Sequence, residues 1–169
     1  MNVYKANLAA EIPQYATEGS ACFDVKACIK QHQRLAAWNA WNKQIKMVVK
    51  GVGNKPDAFQ LPPDTRVLIP TGLIFDVPEG NVLKMYIRSG VALKKGLSLA
   101  NGVGIIDSDY VEETFIMLFN GSDSLVTIEN GERLAQCMLE PAQMAYLIET
   151  TTKPEHKTDR DGGFGSTGD

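Results

Sequence analysis

An all-β fold, a sandwich or barrel of short strands, is what this 169-residue sequence predicts. Three observations carry that expectation. Short runs rich in Val, Ile, Leu and aromatic residues recur along most of the chain, and no internal repeat organises them. Turn chemistry separates the runs: PPDT, PEGN, NGSD and NGE. The length suits one domain with a real core, and a composition of 44% hydrophobic and 22% charged residues is ordinary for a globular chain.

The strand candidates follow in order. CFDVKACI (22–29) comes first, and IKMVVK (45–50) second. RVLIPTGLIFDV (66–77) lies between PPDT and PEGN, and VLKMYI (82–87) follows PEGN. TFIMLF (114–119) ends at NGSD, LVTI (125–128) runs from NGSD to NGE, and RLAQCML (133–139) starts after NGE. MAYLIE (144–149) closes a body assigned to 1–149, and from about Thr150 large apolar residues nearly vanish, so 150–169 reads as a mobile arm. One stretch, QHQRLAAWNAWNKQIKMVVKGVGNK (31–55), is ambiguous. Leu35, Trp38 and Ile45 sit near helical spacing, whereas Val48 and Val49 favour a strand; a hairpin arm and a short helix followed by a strand both fit.

Charge and cysteine content narrow the function classes. A net charge of −3 gives no electrostatic footprint for polymeric nucleic acid, although a small anion needs only a few local cations. No apolar run reaches signal-peptide or membrane-span length, which predicts a chain without a membrane partner. Cys22, Cys28 and Cys137 form no disulfide framework and fit a reducing cytoplasm. Cys22, Cys28 and His32 match no strong zinc spacing, so buried, small apolar thiols are expected instead.

Four stretches carry residues that a β core does not need. In IRSGVALKKG (87–96), Ser89-Gly90 after Arg88 permits a tight turn that presents N–H groups beside a guanidinium and a hydroxyl. That is a phosphate seat or a plain strand-end turn. In SLANGVGIIDSDYVEE (98–113), Asn101-Gly102 signals a hairpin whose strands would flank a slot. Asn101 can read a base edge there, and Tyr110 offers a ring to a sugar. Asp107, after Ile105-Ile106, would lie at the floor of a partly dry pocket as a base for water, or be an ordinary turn former. In ENGERLAQCML (129–139), Arg133 and Gln136 either hold a polyphosphate or, for Arg133, pair with Asp24 or another carboxylate. The terminal TDRDGGFGSTGD is too rich in Gly to order by itself, yet keeps Arg160 and Phe164, which suits a lid over an anion with an aromatic face.

Taken in order, SACFDVKA, IRSGVALKKG, NGVGIIDSDY, GERLAQ and GGFGSTG resemble the five motifs of the trimeric dUTP pyrophosphatases, the dUTPases. The resemblance implies a jelly-roll subunit in a homotrimer, with sites between subunits and the arm of one chain closing over them. It implies Mg²⁺-dependent hydrolysis of dUTP to dUMP and pyrophosphate, which keeps uracil out of DNA and supplies dUMP for dTMP synthesis, in a cytoplasm (the host's, for a virus).

Carried over by motif, Asp107 is the general base for the water that attacks the α-phosphorus. Ser89, with Gly90 beside it, meets the bridging and β-phosphate oxygens, and Arg88 and Gln136 support the phosphate network. Asn101, Gly104 and Ile106 form the uracil slot, and Tyr110 packs under the deoxyribose. Asp24 organises either the water shell of Mg²⁺ or the phosphate-binding Arg. On the arm, Arg160 is directed to the phosphates, Phe164 to uracil, and Gly165, Ser166 and Thr167 to the γ-phosphate.

Departures stand out. Val111 and Glu112 replace the Arg and Gly of the family's DYRGE, the last motif is one residue short, and an insertion occupies about 30–58 with Trp38 and Trp41. That insertion is a surface excursion, a trimer-reinforcing element or a docking site for a protein partner. Two rival readings are a dCTP deaminase of the same fold, which would carry Arg-Ser-Ser, and a non-enzymatic regulator using the insertion.

Overall fold

A computed structural model describes residues 1–159. The described residues form thirteen strands and one short helix: β1 (Asn2–Lys5), β2 (Phe23–Lys26), β3 (Arg34–Trp38), β4 (Gln44–Val48), β5 (Ala58–Leu61), β6 (Arg66–Pro70), β7 (Leu73–Asp76), β8 (Asn81–Ile87), α1 (Ser89–Lys95), β9 (Leu97–Leu99), β10 (Gly104–Ile106), β11 (Phe115–Asn120), β12 (Val126–Glu129) and β13 (Arg133–Pro141). All registered pairs are antiparallel. They form a five-stranded sheet in the order β4-β3-β6-β11-β9, a four-stranded sheet β10-β8-β13-β2, and the two-stranded ribbons β1-β7 and β12-β5.

Period-two alternation explains why these segments are strands. In β11, Ile116, Leu118 and Asn120 point inward while Phe115 and Met117 stay outside. Inward side chains from all four sheets meet in one core that includes Phe75, Leu83, Met85, Leu118 and Leu134. Asn120 is buried but fully engaged. Its Nδ2 donates to the Leu61 and Ser124 carbonyls, and its Oδ1 accepts from the Ser122 amide and hydroxyl, so the NGSD turn is tied to the core.

Several sequence expectations change. The 31–55 stretch is a hairpin. Leu35 faces Met47 across the β3-β4 ladder, and Asn39 closes the tip by accepting from the Trp41 and Lys43 amides. β3 then joins β6 through Ala37 and Trp38, so the insertion widens the five-stranded sheet by two strands. MAYLIE adds no strand: beyond Pro141 the chain has none among the described residues, and Met144, Tyr146, Leu147 and Ile148 are 84% to 98% exposed. Near this point the Ala142 amide ties the chain to the body by donating to the Gly80 carbonyl.

The RSG stretch is not a plain turn. Arg88 is extended (φ −73°, ψ 138°) and caps α1, which ends at Gly96 in the left-handed region (φ 63°). Asn101-Gly102 does turn, with Gly102 at φ 71°, but its flanks do not pair with each other. β9 pairs with β11 and β10 with β8, so the turn crosses from one sheet to the other.

Candidate functional site

Two groups of side chains are arranged along β8. At its C-terminal end, Asp24 on β2, Gln136 on β13 and Tyr86 on β8 occupy one cross-strand row. Asp24 bridges two guanidinium groups: its Oδ1 lies 2.8 Å from Arg88 Nε and its Oδ2 3.2 Å from Arg133 Nη1. Arg88 is further tied to β13, its backbone amide donating to the Leu134 carbonyl and its Nη1 to the Arg133 carbonyl. Gln136 Nε2 donates to the Ile87 carbonyl at 3.5 Å, at the limit of a useful bond. Ser89 and Gly90 open α1 and are exposed beside this row. The pairing of Arg133 with Asp24 is therefore realised. Asp24 holds the arginines with both oxygens, so of its two proposed roles the organisation of Arg88 is the one this geometry displays. A wide cleft of about 770 Å³, bounded by residues 11–16, Asp24, Lys26 and Arg133, opens next to it.

Further along β8, β10 pairs through Gly104 with Met85 and through Ile106 with Leu83. Here a cavity of about 320 Å³ is bounded by Asn101, Gly104, Ile106, Tyr110, Met85 and Thr114 among others. The slot thus lies between two sheets and not between the arms of one hairpin. Gly104 is needed at its wall, since a Cβ there would stand 3.0 Å from Met85 Cβ. The Tyr110 hydroxyl donates to the Glu113 carbonyl, and Glu113 Oε1 accepts from the Gly72 amide at 2.7 Å. Those two bonds anchor the 107–113 loop. Neither Glu113 nor Met85 was singled out from the sequence, and no local pattern marks them.

Asp107 departs from expectation. Ile106 is buried, but Ile105 is 55% exposed and Asp107 is exposed as well, because β10 is a three-residue edge strand that none of the described residues covers. Asp107 and Arg88 are also far apart. Register places Asp107 next to the Leu83 partner, and Arg88 five residues beyond Leu83, a separation of about 20 Å at the usual strand rise.

Among the described residues no three His, Cys, Asp or Glu side chains converge as a metal cage, the Cys22–Cys28–His32 grouping included. Mg²⁺ prefers oxygen ligands, keeps several waters and commonly rides on substrate phosphates. One half-exposed carboxylate flanked by arginines suits a metal that arrives with a polyphosphate and meets Asp24 through water. Burial pushes the Cys137 thiol far above its ordinary range, and burial followed by the nearby Glu113 charge raises Cys28, as inert core thiols should behave. Arg160, Phe164, Gly165, Ser166 and Thr167 lie outside the described residues.

A family model described as dUTPase matches residues 54–168, well over half of the chain and four of its five motif stretches. This chain belongs to the dUTPase family. A deoxyuridine 5'-triphosphate nucleotidohydrolase of Rhizobium etli (strain CIAT 652) is 35% identical over 158 residues, covering 94% of this chain and 85% of that protein. One from Hydrogenobaculum sp. (strain Y04AAS1) is 44% identical over 113 residues, 66% of this chain and 77% of its own. Among solved structures, the dUTPase of Streptococcus mutans superposes with a TM-score of 0.61 at 26% identity, over 80% of this chain and 88% of that one. A variant of the Staphylococcus bacteriophage 80alpha dUTPase with dUpNHpp superposes with a TM-score of 0.72 over 99% of this chain and 97% of its own; at 20% identity it supports the shared all-β dUTPase fold alone.

Proposed function

We propose that this dUTPase-family chain hydrolyses dUTP to dUMP and pyrophosphate at sites shared between copies of itself in a homotrimer. The observation that carries the reading is the divided site: Asp107, just past the Ile106–Leu83 pair, and Arg88 of the charged row lie about 20 Å apart along β8. Within one chain the base and the phosphate row do not meet at one α-phosphorus, whereas a neighbour's row facing Asp107 can supply it. The exposed state of Asp107 has the same origin, because its cover belongs to the neighbour.

In this mechanism uracil enters the slot, where Asn101 and the backbone of Gly104 and Ile106 read its edge and the Gly104–Met85 contact leaves little room for a thymine methyl group. Tyr110, 41% exposed, packs under the deoxyribose and disfavours a 2′-hydroxyl. Asp107 takes a proton from a water whose oxygen bonds to the α-phosphorus. The bond from that phosphorus to the bridging oxygen breaks, and the electron pair leaves with pyrophosphate. Arg88, Ser89 and Gln136 of the neighbour receive the growing negative charge, with Arg88 already aimed by Asp24. Mg²⁺, when bound with the triphosphate, would screen its charge, and Asp24 would touch its water shell. The arm, 150–169, closes over the nucleotide with Arg160 and Phe164. No helix among the described residues is long and apolar enough to cross a membrane, and a cytoplasmic enzyme that lowers dUTP and supplies dUMP is the setting this chemistry fits.

Pyrophosphate release measured across dUTP, dTTP, dCTP and UTP, with ammonia followed in the dCTP arm, tests the reading. Release confined to dUTP is expected. Ammonia from dCTP would reassign the chain to the deaminases, and equal release from dTTP or UTP would remove the slot and sugar assignments.

A further inference from the structure

We propose that the β3–β4 hairpin is a docking surface for single-stranded nucleic acid, with Trp41 and Trp38 as stacking rings among unpaired cations. The proposal stands apart from the dUTP reading, since it needs neither the slot nor Asp107.

Charge is divided unevenly along this chain. Residues 30–55 hold six of its 17 Lys and Arg and none of its 20 Asp and Glu, so a segment of +6 is joined to a remainder of −9. The net charge of −3 averages over that division and conceals it. Of the six cations only Lys55 has an acidic partner, Glu129, among the described residues. Lys30, Arg34, Lys43, Lys46 and Lys50 are exposed and make no ion pair there.

Register gathers the cations around the rings. One outward face carries Arg34, Ala36 and Trp38 of β3 opposite Val48, Lys46 and Gln44 of β4. Arg66 of β6 stands across from Trp38 on the other side. Its Nη2 donates to Asn42 Oδ1 at 2.6 Å and to the Asn39 carbonyl at 3.4 Å, both neutral, so its charge is uncompensated too. A hollow of about 460 Å³, bounded by Arg34, Ala36, Gln44 and Lys46 among others, begins at the cross-strand partner of Trp38. At the tip Trp41 is 79% exposed, with Lys43 two residues on. The tip backbone is fixed: Asn39 Oδ1 accepts from the Trp41 and Lys43 amides, and the Asn39 amide donates to the Lys43 carbonyl.

Edge protection explains only part of this. β4 is the outer strand of its sheet, and lysines there deter pairing with foreign strands, which accounts for Lys46 and Lys50. It does not account for Arg34 and Arg66 on interior strands, nor for an indole held out in water. A single strand of nucleic acid answers both, its phosphates meeting the cations and its unstacked bases the indoles. An acidic protein segment would satisfy the cations and leave the rings unused. β4 lies three strands from β11, which borders the slot, or about 14 Å at the usual strand spacing, so a docked strand leaves the nucleotide's entry open.

Both tryptophans of the chain are on the hairpin, so the intrinsic fluorescence of the unaltered protein reports on this surface. The full chain is titrated with a single-stranded thymidine oligomer of about 15 nucleotides, a duplex of the same length and polyglutamate, as the usual site size per stacking platform suggests. Expected are quenching by the oligomer, micromolar affinity at low salt, and a log–log salt slope of about −2 to −3, the value for three or four phosphates on a single strand. Saturating dUpNHpp should leave that affinity unchanged. Trp41→Ala is expected to weaken the oligomer about tenfold. The double change Lys43→Glu with Lys46→Glu should weaken it at least as much and flatten the salt slope. Polyglutamate bound as tightly as the oligomer would mean an acidic protein partner, and duplex bound as tightly would mean charge alone; either result overturns the proposal. So does unquenched fluorescence, an affinity indifferent to Trp41→Ala, or competition by dUpNHpp, which would place the oligomer in the slot. Should the double variant not fold, Trp41→Ala and the salt slope of the unaltered chain decide.

Discussion

The two halves of the site are held in opposite ways. Around Asp24 every charged group has a partner inside the chain, and Arg88 alone makes contacts with β2 and β13 through side chain and backbone. Around Asp107 the supports are a buried isoleucine before it, a tyrosine hydroxyl on a carbonyl and one carboxylate on the Gly72 amide, while the carboxylate of Asp107 points into solvent. The phosphate half is preorganised by its own chain. On the proposed reading, the hydrolytic half is positioned by its own chain and enclosed by another. Electrostatic stabilisation demands fixed dipoles before the substrate arrives, whereas a base for water needs access until the nucleotide is seated.

That contrast can be broken where the expected effect is largest. Asp107→Asn keeps size and polarity but cannot take a proton, so turnover should fall by about a thousandfold while dUpNHpp binds nearly as before. Wild-type turnover in that variant would show that the exposed carboxylate is not the base. Truncation after Thr158 removes the arm beyond the packed body, which ends near Pro141. Activity is expected to drop about a hundredfold with the thermal midpoint unchanged, because a lid contributes to the closed complex and not to the core. A truncated protein at full activity would leave the divided site without its cover. Asp24→Asn comes next. It releases Arg88 and Arg133 together, so kcat/KM should fall about tenfold and show a stronger dependence on salt, while stability changes by about 1 kcal/mol or less because both ion pairs are partly exposed. An equal loss of dUMP binding would mean the two halves are not separable.

How much of this was legible in the sequence follows the same division. The order of the motif stretches pointed to the family, and the apolar runs located β2, β4, β8, β11, β12 and β13 to within a few residues, while the single run 66–77 covers two strands, β6 and β7. Register was not legible. Nothing local joins Asp24 to Arg133, 109 residues away, and their pairing depends on β13 lying between β2 and β8. The helix α1 did carry a signal, two lysines before a glycine in Leu93-Lys94-Lys95-Gly96, but the turn chemistry of Ser89-Gly90 masked it. MAYLIE misled because strand pattern records the need for an apolar neighbour and not where that neighbour is. In the insertion, the helical spacing of Leu35, Trp38 and Ile45 was coincidental; Leu35 faces the core and Trp38 the opposite side of the same strand.

The smallest expected effect concerns that insertion, and it sharpens the comparison by asking whether a third region belongs to the site. β3 continues the five-stranded sheet, and a second cavity, of about 380 Å³, reaches from Trp38 to Leu68 and Met117, residues that also border the nucleotide slot. Trp38 is thus built into the sheet beside the slot, while Trp41 stands at the hairpin tip with 79% of its surface exposed. A tip that is only a surface excursion should tolerate Trp41→Ala, with kcat/KM within about twofold and stability within about 0.5 kcal/mol, the usual range for exposed positions. Trp38→Ala should cost more stability than Trp41→Ala, since Trp38 is partly buried where β3 pairs with β6 opposite Arg66. A Trp41→Ala variant that lost turnover, or that fell apart into monomers on a sizing column, would place the tip in the shared site and make the insertion a working part of the assembly.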